Sequence, residues 1–189
     1  MKILFRGGSI SSGKGVEKSY VDKLSEDFPK EHPDVSIINV SKDGDSSFDG
    51  VWSFRELVSP HSPDILLLHF GVDDAFRPVY RSEFKENLVQ MVRLARHLFR
   101  PEIYLLTSHP FPDTYEMDAL NIYYRTLREV AYDLRCTLIP IHLLWFSYDA
   151  MYNSERRPLF LDDCRFPNNS GQELYFYIMR DKLTEFLFS

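Results

Sequence analysis

One serine lies where a strand-to-turn transition would expose a nucleophile. Ser9 belongs to the segment GGSISSG (residues 7–13), which closely follows the apolar residues 3–5. A buried strand that runs into a tight turn presents a hydroxyl group at the edge of a sheet. A serine alone is a poor nucleophile, because it needs a base within hydrogen-bonding distance. A catalytic role for Ser9 therefore depends on a partner elsewhere in the chain.

The far end of the chain is where such a base would be expected. Residues 162–168 read DDCRFPN, which supplies two carboxylates but no histidine. This segment supplies no imidazole, so Ser9 lacks the usual base unless another part of the chain replaces it.

Alternating strand-like and helical patterns must position these residues. Apolar runs typical of buried parallel strands recur along the chain, with amphipathic helical periodicity between most of them; they cover residues 2–5, 35–40, 64–70, 103–107 and 137–141. The spacing predicts helices near 16–28, 82–98 and 120–134 and a last helix from Ser170, with irregular segments at 41–63 and 145–169. We expect one α/β domain over residues 1–189, a three-layer α/β/α sandwich around a five-stranded parallel sheet.

Four segments occur in the order found in a known hydrolase family. They are GGSISSG (7–13), NVSKDGDS (39–46), LLLHFGVDD (66–74) and DCRFPNNSG (163–171). Each is weak alone, since short Gly, Asp and Pro-Asn patterns occur in many turns. Together they resemble the SGNH (GDSL-type) hydrolase family across essentially the whole chain, which implies a flavodoxin-like sheet order.

The resemblance implies a role for each matching position. Ser9 would attack an ester carbonyl, Asp163 would orient the base, and Ser9 and Gly44 would line an oxyanion hole in which Asp73 takes the position of the family's asparagine. The departures affect the chemistry, because Phe166 takes the histidine position and Gly8 replaces the aspartate before the serine. An alternative register aligns Asp162 with Arg165, and neither register supplies a histidine.

Another histidine could replace the missing base. His109 follows the fourth predicted strand and is the first candidate, because the adjacent loop could carry it over the site. His142 is expected farther away, at the end of the fifth strand, and His69 is expected to be a core residue. No histidine or carboxylate cluster has the compact spacing of a zinc site, so we expect neither a metal nor a cofactor.

A phosphate-binding loop is a competing interpretation of the first motif. Residues 8–15 read GSISSGKG and are one residue short of a P-loop, with Lys14 in the lysine position. Gly15 replaces the Ser or Thr whose hydroxyl would hold Mg²⁺. This reading leaves the other three segments unexplained, and Lys14 is then expected to be a solvated lysine.

Composition limits the partners. The 189 residues carry a net charge of −6 without a basic run, which argues against a nucleic-acid partner. No apolar run is long enough to span a membrane, and we expect a cytoplasmic protein. Cys136 and Cys164 are expected at opposite ends of a strand, too far apart for a disulfide.

Two classes of function fit these observations. The leading one is an SGNH-like protein that is inactive or very weak as a serine esterase and binds an acylated or carbohydrate-like ligand, with a protein partner or a homo-oligomer as further options. The alternative is an active acyl-ester hydrolase, for example on O-acetyl groups, or an acyltransferase that uses Ser9 with a rearranged base such as His109.

Overall fold

A central parallel sheet organises the molecule. The computed structural model describes residues 1–77 and 79–188, except for the side chain of Phe188. All strand pairs are parallel and their order is β2-β1-β3-β4-β5. The strands are β1 (Lys2–Gly7), β2 (Ser36–Asn39), β3 (Ile65–His69), β4 (Glu102–Leu106) and β5 (Thr137–Ile139). The α/β prediction and the five strands are confirmed.

Helices connect the strands, as parallel pairing requires. They are α1 (Ser9–Ser12), α2 (Tyr20–Glu31), α3 (Ser47–Trp52), α4 (Phe54–Leu57), α5 (Val72–Phe76), α6 (Arg81–Leu98), α7 (Thr114–Leu134), α8 (Ile141–Tyr152) and α9 (Asn169–Phe188). The long helices α6 and α7 bury the apolar positions that their periodicity predicted, including Phe84, Leu88, Leu120 and Leu127. One hydrophobic cluster joins these faces to the sheet.

Two helices begin at residues other than those predicted. α7 begins at Thr114, six residues before the predicted start, because Asp113 caps it by accepting a hydrogen bond from the Glu116 amide at 2.9 Å. α6 begins at Arg81 and not after Ser82.

The two segments that were predicted to be irregular both contain helices. α3 and α4 lie within residues 41–63, and α8 extends from Ile141 to Tyr152. The aromatic residues and leucines of α8 are not confined to one side of the helix. Hydrophobic periodicity therefore did not predict this helix. His142 consequently lies in the first turn of α8 and not at the end of a strand.

Two further observations concern the chain as a whole. Cys136 and Cys164 are free thiols, as predicted. Within residues 1–77 and 79–188, no helix is both long and apolar enough to cross a bilayer.

Candidate active site

Ser9 begins the short helix α1 directly after β1. The amide of Gly8 donates to the carbonyl oxygen of His69 at 3.3 Å, which ties the turn to the end of β3. Gly13 ends α1 in the left-handed conformation at φ 81°, which glycine adopts without strain. Ser9 is fully buried against the loops that follow β2 and β3. The carboxyl ends of three neighbouring strands thus meet at Ser9, where open parallel sheets build their sites.

The carboxylate of Asp73 contacts both polar groups of Ser9. Its Oδ2 accepts from the Ser9 amide at 2.8 Å, and its Oδ1 accepts from the Ser9 hydroxyl at 2.5 Å. Asp73 lies in the first turn of α5, which Gly71 opens at φ 125°. The carboxyl group of Asp73 therefore takes the hydrogen bond from the Ser9 amide that would otherwise go to an oxyanion.

Gly8 is required by this arrangement. A Cβ atom at position 8 would clash with Oδ2 of Asp73 and with the carbonyl oxygen of Asp45. The two departures from the family pattern, Gly8 and Asp73, are therefore structurally coupled, because a side chain at residue 8 would displace the carboxylate.

The loop after β2 supplies two more contacts to Ser9. The Gly44 amide donates to the Ser9 hydroxyl oxygen at 2.9 Å, and that hydroxyl also lies 2.9 Å from Oδ1 of Asp43. Gly44 has φ 75°, and Asp45 pairs with the fully buried Arg6, which fixes the loop against the sheet. The structure thus brings Ser9, Gly44 and Asp73 together, as the motif order predicted.

Lys14 lies between these carboxylates and Phe166. Its Nζ is 3.5 Å from Oδ1 of Asp43 and 4.6 Å from the centre of the Phe166 ring, in cation–π geometry. Phe166 is buried. An ammonium group stacked on a phenyl ring therefore lies near the serine, on the side where the resemblance placed an imidazole. Lys14 is half-exposed but paired, in contrast to the solvated lysine that was expected.

Burial raises the pKa of Asp73 above its ordinary value. The hydrogen bonds from Ser9 and the positive charges of Lys14 and Arg77 oppose that rise. The neighbouring Asp74 is more deeply buried, and desolvation raises its pKa to about 6 despite hydrogen bonds from Ser47 and Gly71. Asp163 is not among the main causes of either shift.

The final motif is folded on itself. Oδ1 of Asp163 accepts from the amides of Arg165 at 3.0 Å and Phe166 at 3.3 Å, so this exposed carboxylate caps its own turn. Arg165 pairs with Glu116 and stacks on Phe76. No hydrogen bond joins Asp163 to Ser9 in the part of the chain that the structure describes. The predicted role of Asp163 in orienting a base stays a prediction, because a carboxylate in that role would contact the base and not the serine.

His109 is a buried core residue. Its Nδ1 lies 2.8 Å from the Tyr175 hydroxyl, and its ring stacks on Phe111 with centres 5.0 Å apart. Nε2 is buried without a hydrogen-bond partner among the described residues. Burial lowers the pKa of His109 to about 3, with His69 adding to the effect and the backbone of Arg165 opposing it. No hydrogen bond joins His109 to Ser9 among the described residues, and the role of His109 as a replacement base stays a prediction.

One serine–histidine contact, between Ser11 and His69, lies inside the core. Nδ1 of His69 lies 2.8 Å from the Ser11 hydroxyl and 3.0 Å from that of Tyr20, while its Nε2 lies 3.2 Å from the hydroxyl of Ser108. All four residues are buried, and burial lowers the pKa of His69 to about 3. This network stabilises the sheet beneath α1, as expected for a satisfied core histidine.

The geometry argues against the phosphate-loop reading. The Ser9 amide, which would face a phosphate, donates to Asp73, and Lys14 faces Asp43 and Phe166. Within the described ranges, no group of three or more His, Cys, Asp or Glu residues has metal-binding geometry.

Sequence reasoning missed Asp43 and Arg77, and it gave Lys14 a role only in the phosphate-loop interpretation. Asp43 directly precedes the predicted oxyanion glycine, and this adjacency was the one available signal. The guanidinium group of Arg77 lies against Gly44. A Cβ atom built on Gly44 would be only 2.7 Å from Nη2 of Arg77. Nothing in the local sequence indicates that approach.

Known esterases are similar to this chain. An arylesterase from Vibrio mimicus is 31% identical over 97 residues, which is 50% of this chain and 48% of that protein. Esterase TesA from Pseudomonas aeruginosa is 26% identical over 143 residues, covering 75% of this chain and 70% of the relative. The chain thus spans about half the length of the first relative.

Solved structures share the fold. The psychrotrophic esterase EstA from Pseudoalteromonas, inhibited by monoethylphosphonate, aligns with a TM-score of 0.82 at 19% identity, over 100% of this chain and 99% of its own. The acetyl xylan esterase AlAXEase aligns with a TM-score of 0.80 at 20% identity, and the alignment covers 96% of this chain and 99% of that protein. A model of the GDSL-like Lipase/Acylhydrolase family matches residues 5–174. This chain therefore belongs to the GDSL-like lipase/acylhydrolase family.

Proposed function

We propose that this protein binds a small acylated ligand at Ser9, with acetylated sugars as the first class to test, and hydrolyses it at no more than a trace rate. The observation that carries this proposal is the Asp73 carboxylate, which bonds both the amide and the hydroxyl of Ser9.

Two losses of transition-state stabilisation support the low rate. In a well-studied serine protease, loss of the triad histidine lowers turnover about a millionfold. Loss of one oxyanion donor costs about a hundred- to a thousandfold, and a carboxylate in that position repels the developing charge as well. Phe166 and Asp73 impose both deficits here.

The ligand class follows from what remains at the site. The carboxylates of Asp43 and Asp73 both lie beside Ser9, and carboxylates accept hydrogen bonds from hydroxyl-rich molecules. The similar proteins are named as an arylesterase and an acetyl xylan esterase, which supports acyl esters as the chemistry to examine.

One experiment separates binding from turnover. Hydrolysis of 4-nitrophenyl acetate should be at the trace level, and Ser9→Ala should barely change it. Acetylated xylose should meanwhile shift the backbone amide resonances of Ser9 and Gly44 in ¹H–¹⁵N NMR spectra. Robust hydrolysis that Ser9→Ala abolishes would overturn the proposal.

A second candidate is slow hydrolysis or acyl transfer with a carboxylate as base. It is favoured by the 2.9 Å contact between the Ser9 hydroxyl and Oδ1 of Asp43. The neighbouring Lys14 ammonium lies 3.5 Å from the same Oδ1 and competes with the Ser9 hydroxyl for this oxygen. Asp43→Asn should abolish Ser9-dependent turnover if this candidate is correct, whereas the leading proposal predicts no Ser9-dependent turnover to lose.

A further inference from the structure

The outer face of α8 is apolar and exposed. Leu143, Phe146 and Met151 are each between 65% and 68% exposed. Ser147 and Ala150 are also exposed and lie on the same side, at the i, i+3, i+4, i+7 and i+8 spacing of one helix face. These five residues form the α8 outer face, and none of them is charged. Single apolar residues are common on protein surfaces, whereas contiguous ones mark interaction sites.

The inner side of α8 is apolar as well. Ile141 and Trp145 are buried in the core, so the helix is apolar on both sides. The exposed positions of α6 are mostly polar by contrast, as at Glu86 and Arg93. A helix that is hydrophobic all round is normally buried all round. The α8 outer face therefore lacks the cover that its composition requires.

A cavity lies at the C-terminal end of this face. Its volume is about 630 Å³. The lining includes Ala150 of the α8 outer face, the apolar side chains of Leu159 and Phe160, and the charged side chains of Arg156 and Arg157. The patch thus combines exposed apolar side chains with a neighbouring hollow.

These two features are complementary under two-fold symmetry. Leu143 lies about 10 Å along the helix axis from Ala150, at 1.5 Å per residue. In an antiparallel pair of α8 helices, Leu143 of each copy faces the cavity of the other, so the same patch is used twice, as an isologous interface requires. Phe146 of one copy then lies opposite Met151 of the other, and a thioether packs favourably on an aromatic ring. Ser147 lies opposite Ala150, and these small residues allow close approach.

A second copy fits this face better than a lipid surface. Residues 141–152 contain no lysine or arginine, whereas helices that lie on anionic membranes carry these residues on their polar side. The net charge of −6 also opposes approach to such a membrane. The face presents on the order of 500 Å² per copy, so a two-fold pair buries on the order of 1,000 Å², the size at which specific interfaces begin.

We propose that two copies of this chain associate through the α8 outer face as an antiparallel two-fold pair, with Leu143 of each copy in the cavity of the other. The cavity wall continues into the segment that carries Phe166, because Phe160 forms an antiparallel bridge with Pro167. Each copy therefore braces that segment in the other. The association itself does not rest on the proposed function.

Sedimentation equilibrium of the full chain, without any ligand, measures the association. The average mass should rise from that of one chain towards that of two, with a dissociation constant on the order of 10 µM. Leu143→Asp and Phe146→Asp should each weaken the association at least about tenfold, because the new carboxylate loses its hydration in the pair. Tyr132→Asp, at an exposed position of α7, should leave the dissociation constant unchanged.

Mixed variants test the antiparallel geometry. Met151→Lys should weaken the association of its own chain, as Phe146→Asp does. An equimolar mixture of the two variants should associate more tightly than either alone, because one of the two symmetric contacts becomes an ion pair while the other stays apolar. A mixture no tighter than the separate variants would contradict the antiparallel pair.

Other outcomes would overturn the proposal as a whole. One is a mass that stays at that of a single chain over the whole concentration range, and another is an association that both aspartate substitutions leave unchanged. Flotation with phosphatidylglycerol vesicles tests the lipid surface, and the chain should not float. Vesicle binding by a monomeric chain that Phe146→Asp abolishes would assign the α8 outer face to lipid instead.

Discussion

The carboxylate of Asp73 accepts hydrogen bonds from the amide and the hydroxyl of Ser9, at 2.8 and 2.5 Å. This carboxyl group lies at the position where the fold would stabilise a transient anion. Lys14 and Arg77 favour its charged form, while burial disfavours it. The site is thus built around a carboxylate that a substrate oxyanion would have to displace.

Replacing this anion should create an anion-binding site. Asp73→Asn removes the charge next to the Ser9 and Gly44 amides, between the two nearby cations, so methylphosphonate should bind at least about tenfold more tightly than to the wild type. The Gly44 amide resonance would report binding. Asp27→Asn, on the exposed face of α2, is the matched control. Equal affinity in all three proteins would show that Asp73 does not block the amides.

Restoring esterase chemistry should require two substitutions. Phe166→His alone should rescue hydrolysis of 4-nitrophenyl acetate poorly, because Asp73 still opposes the oxyanion and such losses are coupled. Phe166→His with Asp73→Asn should be faster than either single variant and should depend on Ser9. The new imidazole must also lie within about 3 Å of the serine hydroxyl. A double variant no faster than Phe166→His would contradict this reasoning.

Lys14 should tune the acidity of Asp73. Lys14→Met removes a positive charge that lowers the pKa of this carboxyl, so that pKa should rise further. A titration followed by the carboxyl ¹³C resonance of Asp73 measures the change. Lys18→Met is the control, because Lys18 pairs with Glu26. An identical Asp73 titration in the two variants would show that Lys14 is not electrostatically coupled to the site.

The pH dependence of stability should reveal the burial of Asp74. Its pKa is raised from 3.8 to about 6, so the folded chain holds a proton through this interval that the unfolded chain has lost. Increasing pH across the window should therefore lower the free energy of unfolding, by roughly 3 kcal/mol from this group. Denaturant titrations should show this decrease in the wild type relative to Asp74→Asn. The exposed control Asp34→Asn should retain it, and parallel curves for all three proteins would contradict the assignment.

The sequence predicted the sheet and the meeting of Ser9, Gly44 and Asp73, because each follows a buried strand and parallel strands end at one edge. It could not predict that Asp163 would cap its own turn, since Asx turns depend on local dihedral angles. Nor could it show how Lys14 sits on Phe166, because the two residues are separated by most of the chain and meet only through packing. The clash that couples Gly8 to Asp73 is likewise visible only in three dimensions.

His109 should behave as a core residue and not as a base. Burial lowers its pKa to about 3, so the folded chain binds fewer protons than the unfolded chain between about pH 3 and 6.5, and this group makes acidification destabilising. His109→Phe preserves the aromatic packing on Phe111 but removes the titrating group, so it should reduce the loss of stability on acidification. It should leave the trace rate of 4-nitrophenyl acetate hydrolysis unchanged.

His142→Phe is the matched substitution, since His142 is only half-buried and bonds Thr107 at 2.8 Å. Its effect on acid stability should be smaller, because burial lowers the pKa of His142 less strongly than that of the fully buried His109. Denaturant unfolding between pH 4 and 7, with ester hydrolysis measured on the same samples, tests both variants. A Ser9-dependent rate that His109→Phe abolishes while His142→Phe preserves would instead make His109 the replacement base, reached by an opening of the core around Tyr175.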